Sequence, residues 1–164
     1  MSRRESAGLL LYRRCSSGAG GGSAAFGQIE VLLAHPGGPY WVDRHVGAWS
    51  VPKGGVARGE TPLEAAKREF REETGFEPAA PYLTLGTITQ RSGKVVHVWA
   101  FEGDCDPAQA RSNLTTTEWP PRSGRHIEIP EIDRVSFFPI DEARTVINTG
   151  QASLLDRLLR EMGK

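Results

Sequence analysis

Cysteine is scarce in this chain. Only Cys15 and Cys105 occur among 164 residues, in polar or Gly-rich surroundings and without metal-type spacing. That excludes a disulfide scaffold and a cysteine–zinc site, and free thiols in a reducing compartment are expected. Net charge is missing too: 20 basic and 20 acidic residues cancel. A surface made for nucleic acid or an anionic membrane would show a basic excess, so neither partner is expected. A local basic cluster that meets phosphates is still compatible with a neutral total. No apolar run approaches the roughly 20 residues that cross a bilayer. Residues 1–6 lack the apolar core of a secretory signal. A cytoplasmic protein is the expectation.

What is present suffices for one domain with an adequate core. Neither a linker nor an internal repeat divides residues 1–164. Residues 1–6 are expected to be disordered, and 15–27 to form a flexible Gly/Ser-rich loop. Residues 7–13 read as a Leu-rich strand, and 28–34 alternate as a second one. A loop over 35–45 holds Tyr40 and Trp41, and 46–51 is short and extended. Residues 82–90 and 94–102 read as paired strands turned at Arg91-Ser92-Gly93. The stretch 103–130 reads as irregular, with Pro120-Pro121 excluding helix. A strand over 134–138 precedes helices over 141–148 and 153–162, capped by Asp141 and Ser153. This order predicts an α/β fold, a mixed sheet between helices in an α/β/α sandwich.

One more helix carries the chemistry. Thr61 is an N-cap, Pro62 suits the first helical position, and Glu64 completes a capping box. Gly75 suits a left-handed C-cap. Leu63, Ala66, Phe70 and Thr74 share the side that packs on the core. Glu69, Glu72 and Glu73 sit three and four apart on a neighbouring face. Like charges at that spacing repel, so arginines or a divalent cation must compensate them. An oxygen-only donor set favours Mg2+, with Mn2+ also suited. The preceding Pro52-Lys53-Gly54-Gly55 lets backbone approach a ligand. Arg68 and Glu60 are placed to brace that loop against the helix.

The skeleton is Gly54, Glu60 six residues on, then Arg68-Glu69-Phe70-Arg71-Glu72-Glu73-Thr74-Gly75-Phe76. Nine specified positions match by accident about once in ten million chains of this size. The string resembles the complete Nudix box, and the likeness to Nudix hydrolases covers nearly the whole chain. Trp49-Ser50-Val51-Pro52-Lys53-Gly54 and Gly93-Lys94-Val95-Val96-His97 are similar to bacterial diadenosine-polyphosphate hydrolases. His35-Pro36-Gly37-Gly38-Pro39, taken with Glu118-Trp119-Pro120-Pro121-Arg122-Ser123-Gly124-Arg125, is similar to a bacterial group of predicted NTP pyrophosphohydrolases. Arg91 stands where diadenosine-polyphosphate hydrolases often carry tyrosine and many ADP-ribose hydrolases carry proline. The subclass is therefore open.

The resemblance implies a metal-dependent pyrophosphohydrolase that cleaves a nucleoside diphosphate linked to another moiety. A small-molecule nucleotide is the implied substrate, with nucleoside or dinucleoside polyphosphates first. ADP-ribose or sugar nucleotides come next, then oxidised nucleoside triphosphates. A nucleotide-binding module without turnover and a decapping enzyme are the rival readings. Implied metal ligands are Glu69, Glu72 and Glu73, the carbonyl of Lys53 or Gly54, and one later acid, Glu131 or its competitor Glu128. The implied catalytic set is Glu69 or Glu131 as general base, with Lys53 and Arg68 supporting charge and geometry. Lys53, Arg44, Lys94, His97 and Arg125 are candidates for substrate contact. Each also reads as an ordinary surface charge, and His97 as a satisfied half-buried histidine. Tyr40, Trp41 and Trp119 either stack on a base or pack their loops. A homodimer is also implied.

Overall fold

The computed structural model describes residues 5–15 and 28–163. Among the described residues, eight strands and three helices follow in order: β1 Glu5–Cys15, β2 Gln28–Pro36, β3 Lys53–Gly55, α1 Pro62–Thr74, β4 Leu83–Thr89, β5 Val95–Glu102, β6 Leu114–Glu118, β7 His126–Pro130, β8 Ile132–Pro139, α2 Ile140–Val146 and α3 Ser153–Met162. Short 3₁₀ turns occupy Pro107–Gln109 and Thr149–Gln151.

The main sheet runs β4-β5-β1-β2-β8, with β3 attached to β1. Strands β1 and β5 are parallel and the other pairs antiparallel, so the sheet is mixed. Strand β1 is central, and a central strand must bury both faces. Its run from Ala7 to Tyr12 does so. Leu9 and Leu11 meet Ala65, Ala66 and Phe70 of α1 on one side. Leu10 and Tyr12 meet the layer of Ala143, Val146, Leu154, Leu155 and Leu158 from α2 and α3 on the other. The expected α/β/α sandwich is this arrangement.

Helix α1 begins and ends where its cap residues say. Thr61 Oγ1 accepts the Glu64 N–H at 3.2 Å, and Glu64 returns a carboxylate to the Thr61 N–H at 3.0 Å. Gly75 closes the helix at φ 80°, donating to the Arg71 carbonyl at 2.8 Å.

Several expectations need correction. Glu5 and Ser6 belong to β1 rather than to a disordered end, and residues 1–4 lie outside those described. Cys15 ends β1 instead of opening a loop, and residues 16–27 also lie outside the described set. His35 and Pro36 continue β2. Residues 46–48 form a turn rather than a strand, and Trp49 and Ser50 lie in isolated bridges to Ile147 and Ala34. The stretch 103–130 is not wholly irregular, because β6 and β7 pair as a hairpin. Its alternation is only five residues per strand, too short to stand out beside the Pro-rich turn. Pro139, not Asp141, precedes α2, and Ala152, not Ser153, precedes α3; neither helix has a side-chain cap. Burial of Leu154, Leu155 and Leu158 fixes the position of α3 in place of a cap.

Candidate active site

Strand β3 is held against β1 through Ser6–Gly55, Ala7–Gly54 and Gly8–Lys53 pairs. Gly8 permits this approach, since a Cβ there would lie 2.6 Å from the Pro52 carbonyl oxygen. Gly54 faces α1 so closely that a Cβ would overlap the Glu69 carboxyl group. The neighbouring Lys53 gives its backbone N–H to Glu73 Oε2 at 3.1 Å. A three-residue strand therefore approaches two box glutamates through main chain, and a side chain at position 54 would displace the Glu69 carboxyl.

Arg68 joins loop and helix. Its Nε and Nη2 donate to the two Glu60 oxygens at 2.9 and 3.0 Å, and Nη2 also reaches the Gly55 carbonyl at 2.9 Å. Nη1 donates to Glu69 at 2.8 Å and to Glu72 at 3.2 Å. Glu60 also accepts the Ala57 N–H at 3.0 Å. Arg68 and that N–H together pull the Glu60 carboxyl down to about 2. The expected brace is present.

The carboxylates behave oppositely at the centre. Glu73 is 4% exposed. Burial, then the charges of Glu131 and Glu69, push its carboxyl up to about 8 against the pull of Lys53. Burial also raises Glu69, with Arg68 opposing and Glu72 and Glu131 adding. Glu131 is thus electrostatically part of the box although it lies 58 residues beyond Glu73. The segment 111–113 puts it there. Asn113 donates to the Glu72 carbonyl at 2.9 Å and accepts the Glu131 N–H at 2.9 Å. Arg111 N–H meets the Thr74 carbonyl, and Ser112 Oγ accepts the Ile132 N–H. Glu128 instead sits exposed on β7 opposite Thr116.

Lys53 leaves β3 on the face opposite Glu69, because paired antiparallel residues share a face and its Cβ lies against Gly8. Burial lowers its ammonium pKa and nearby Lys94 lowers it further, while Glu73, Glu131 and Glu69 oppose. Lys53 and Lys94 therefore lie close enough to interact electrostatically. His97 pairs with Ala7 across the ladder and stacks on Trp99 at 6.4 Å. Its Nε2 lies 3.6 Å from Glu5, too far for a hydrogen bond, so the histidine is half-buried but not satisfied. Arg44 stacks on Tyr40 and Trp41 at 4.9 and 5.4 Å. Arg125 stands exposed in the turn of the hairpin, whose strands pack mainly on each other. Cys15 and Cys105 are free thiols.

Sequence reading missed Gly8, Asn113, Arg134 and the His35–Asp133 pair. A glycine inside an apolar strand is a usable signal for close backbone approach. The others carry no local signal.

Glu69, Glu73 and Glu131 offer only oxygen donors and repel one another, and Glu69 lies against Gly54, so the donor set suits a hard divalent cation. Among the described residues no three acidic, histidine or cysteine side chains close on one point. Glu69 is turned to Arg68 and Glu73 to the Lys53 amide.

A family model of the NUDIX domain matches residues 24–158, and the chain belongs to that family. It is 36% identical over 61 residues to an RNA pyrophosphohydrolase of Hahella chejuensis, covering 36% of this chain and 38% of that protein. It is 45% identical over 53 residues to one of Halorhodospira halophila, covering 31% and 29%. The matched segment thus spans less than half of these relatives. The fold is similar to a Caenorhabditis elegans Ap4A hydrolase, at TM-score 0.62 and 19% identity over 96% of this chain and 98% of that one. It is also similar to the NUDIX domain of Shewanella oneidensis NrtR, solved with ADP ribose, at TM-score 0.66 and 13% identity over 99% and 90%. No helix among the described residues is long and apolar enough to cross a membrane.

Proposed function

We propose that this protein is a Mg2+- or Mn2+-dependent NUDIX pyrophosphohydrolase that cleaves a nucleoside or dinucleoside polyphosphate. The observation that carries the reading is the electrostatic coupling of Glu73 to Glu69 and Glu131, beside a β3 main chain that approaches Glu69 at Gly54 and gives the Lys53 N–H to Glu73. Glu69, Glu73 and Glu131 would hold the cation, with Glu72 at the exposed edge. A divalent cation there would neutralise phosphate oxygens and make water easier to deprotonate.

The rest falls to the chain itself. Glu131 is the better-placed base, because Glu69 already accepts from Arg68, whereas Glu131 has no side-chain ion pair among the described residues. It takes the proton of the water that attacks phosphorus in line. Lys53 and Lys94 meet the departing phosphate, and the lowered pKa of Lys53 reflects how little water surrounds it. Arg68 fixes the carboxylate array rather than touching substrate.

The test is a panel of diadenosine polyphosphates, nucleoside triphosphates, an oxidised guanine triphosphate and ADP-ribose with Mg2+, products separated by chromatography. Cleavage of a polyphosphate, abolished in Glu73→Gln, supports the reading. Nucleotide binding without product under every metal would replace it with a binding module. A second reading, an RNA as substrate, rests on the matched relatives' name, RNA pyrophosphohydrolase. The zero net charge weighs against a long polyanion. Adding such an RNA to the panel decides between the two.

A further inference from the structure

The loop after β2 carries an arrangement that box chemistry does not use. His35 is fully buried. Its Nδ1 lies 3.0 and 3.1 Å from the two Asp133 oxygens, and its Nε2 lies 2.6 Å from the Arg44 carbonyl oxygen. The ring stands edge-on to Trp49 at 5.1 Å. His35 therefore ties the far end of the loop to the start of β8. The near end is tied as well. Gly37 donates to the Glu131 carbonyl at 3.0 Å, and a Cβ on Gly37 would overlap the Pro130 carbonyl. Gly38 likewise leaves room for Ile129, whose Cδ1 would lie 2.6 Å from an added Cβ. The loop is thus held at its near end to Glu131 and at its far end, through His35, to Asp133.

Two arginines border this pin. Arg44 rests over Tyr40 and Trp41, themselves edge-to-face at 5.9 Å. Arg134 pairs with His35 in the β2–β8 ladder and rests over Trp49 at 5.3 Å. Neither is joined to a carboxylate among the described residues. A guanidinium lying on a ring keeps its N–H edge free, and that edge matches phosphate oxygens. Trp41 packs toward the core, whereas Tyr40 is 58% exposed. Arg134 also lines a cleft of about 240 Å3 shared with Glu73 and Asp133.

We propose that Tyr40, Arg44 and Arg134 form the site for the nucleoside end of the substrate, the base stacking on Tyr40 and phosphates lying against the two guanidinium edges. This rests on the diphosphate reading above and names where that substrate's base is recognised. The His35–Asp133 pair positions the site without touching substrate.

The test separates base from phosphate. Adenosine triphosphate and inorganic tripolyphosphate are titrated calorimetrically, without divalent cation, into wild type, Tyr40→Ala, Arg44→Ala and Arg134→Lys. The kcat and KM for the cleaved nucleotide are measured with Mg2+. Tyr40→Ala is expected to weaken the nucleotide about tenfold, in both Kd and KM, with kcat within about twofold and tripolyphosphate unchanged. The arginine variants are expected to weaken both probes. Melting curves check the fold, and Arg44→Lys replaces Arg44→Ala if that variant melts early. Wild-type binding and cleavage with all variants unchanged overturns this site and leaves the hydrolase reading standing. A wild type that neither binds nor cleaves any nucleotide overturns both.

Discussion

Burial and two neighbouring carboxylates hold the Glu73 carboxyl at about 8 instead of its ordinary 4.5. The folded state then binds this proton more tightly than the unfolded chain does. The stabilisation is complete below the ordinary value and is lost as pH rises through about 8. Without divalent cation, the melting temperature should therefore fall between about pH 5 and pH 8, and fall less in Glu73→Gln. Equal slopes in calorimetry would remove Glu73 as the source. With Mg2+ and substrate, the same variant should turn over below about a hundredth of wild type. Gly54 offers a second test at this scale. An added methyl overlaps the Glu69 carboxyl group, so Gly54→Ala should cost about 1–3 kcal/mol in denaturant unfolding and lower turnover. Wild-type values for both would show that the loop yields without consequence. Both glutamates and the glycine were legible in sequence, because spacing on one helix and a Gly-rich approach are local facts.

Helix α1 shows how far local chemistry reaches at the element scale. Thr61, Pro62, Glu64 and Gly75 mark its ends, and the structure uses all four. Thr61→Ala should cost about 1 kcal/mol in chemical denaturation. The Arg68 brace is larger, with donors to Glu60, Glu69, Glu72 and Gly55. An ammonium cannot reproduce that planar fork, so Arg68→Lys should lower kcat about tenfold or more while leaving the melting temperature within a few degrees. A kcat equal to wild type would limit Arg68 to decoration of the surface. Other elements were less legible. The ends of α2 and α3 are set by packing against the sheet rather than by Asp141 or Ser153. The hairpin escaped notice because a two-stranded ribbon has little burial to imprint on sequence.

At the scale of the molecule, that same hairpin stands apart from the layered core. Its turn at 119–125 is mostly exposed and holds Arg122 and Arg125. Among the described residues, trypsin should cut first at these arginines, as mass spectrometry of early fragments would show. Early cuts within β1 or β5 instead would mean that the sheet opens more readily than the hairpin turn.

By itself the sequence determined the box helix, its caps, its glutamates, and a mixed sheet between helices. These rest on periodicity and capping, which act within a few residues. Only the tertiary structure brought Glu131 into the field of Glu73 while leaving Glu128 exposed on β7, turned the Lys53 Cβ to the face of Gly8, and set Arg44 and Arg134 around His35. Each of those depends on strand register and on backbone hydrogen bonds between distant segments. Such contacts form only when the sheet closes, and no short window of sequence encodes them.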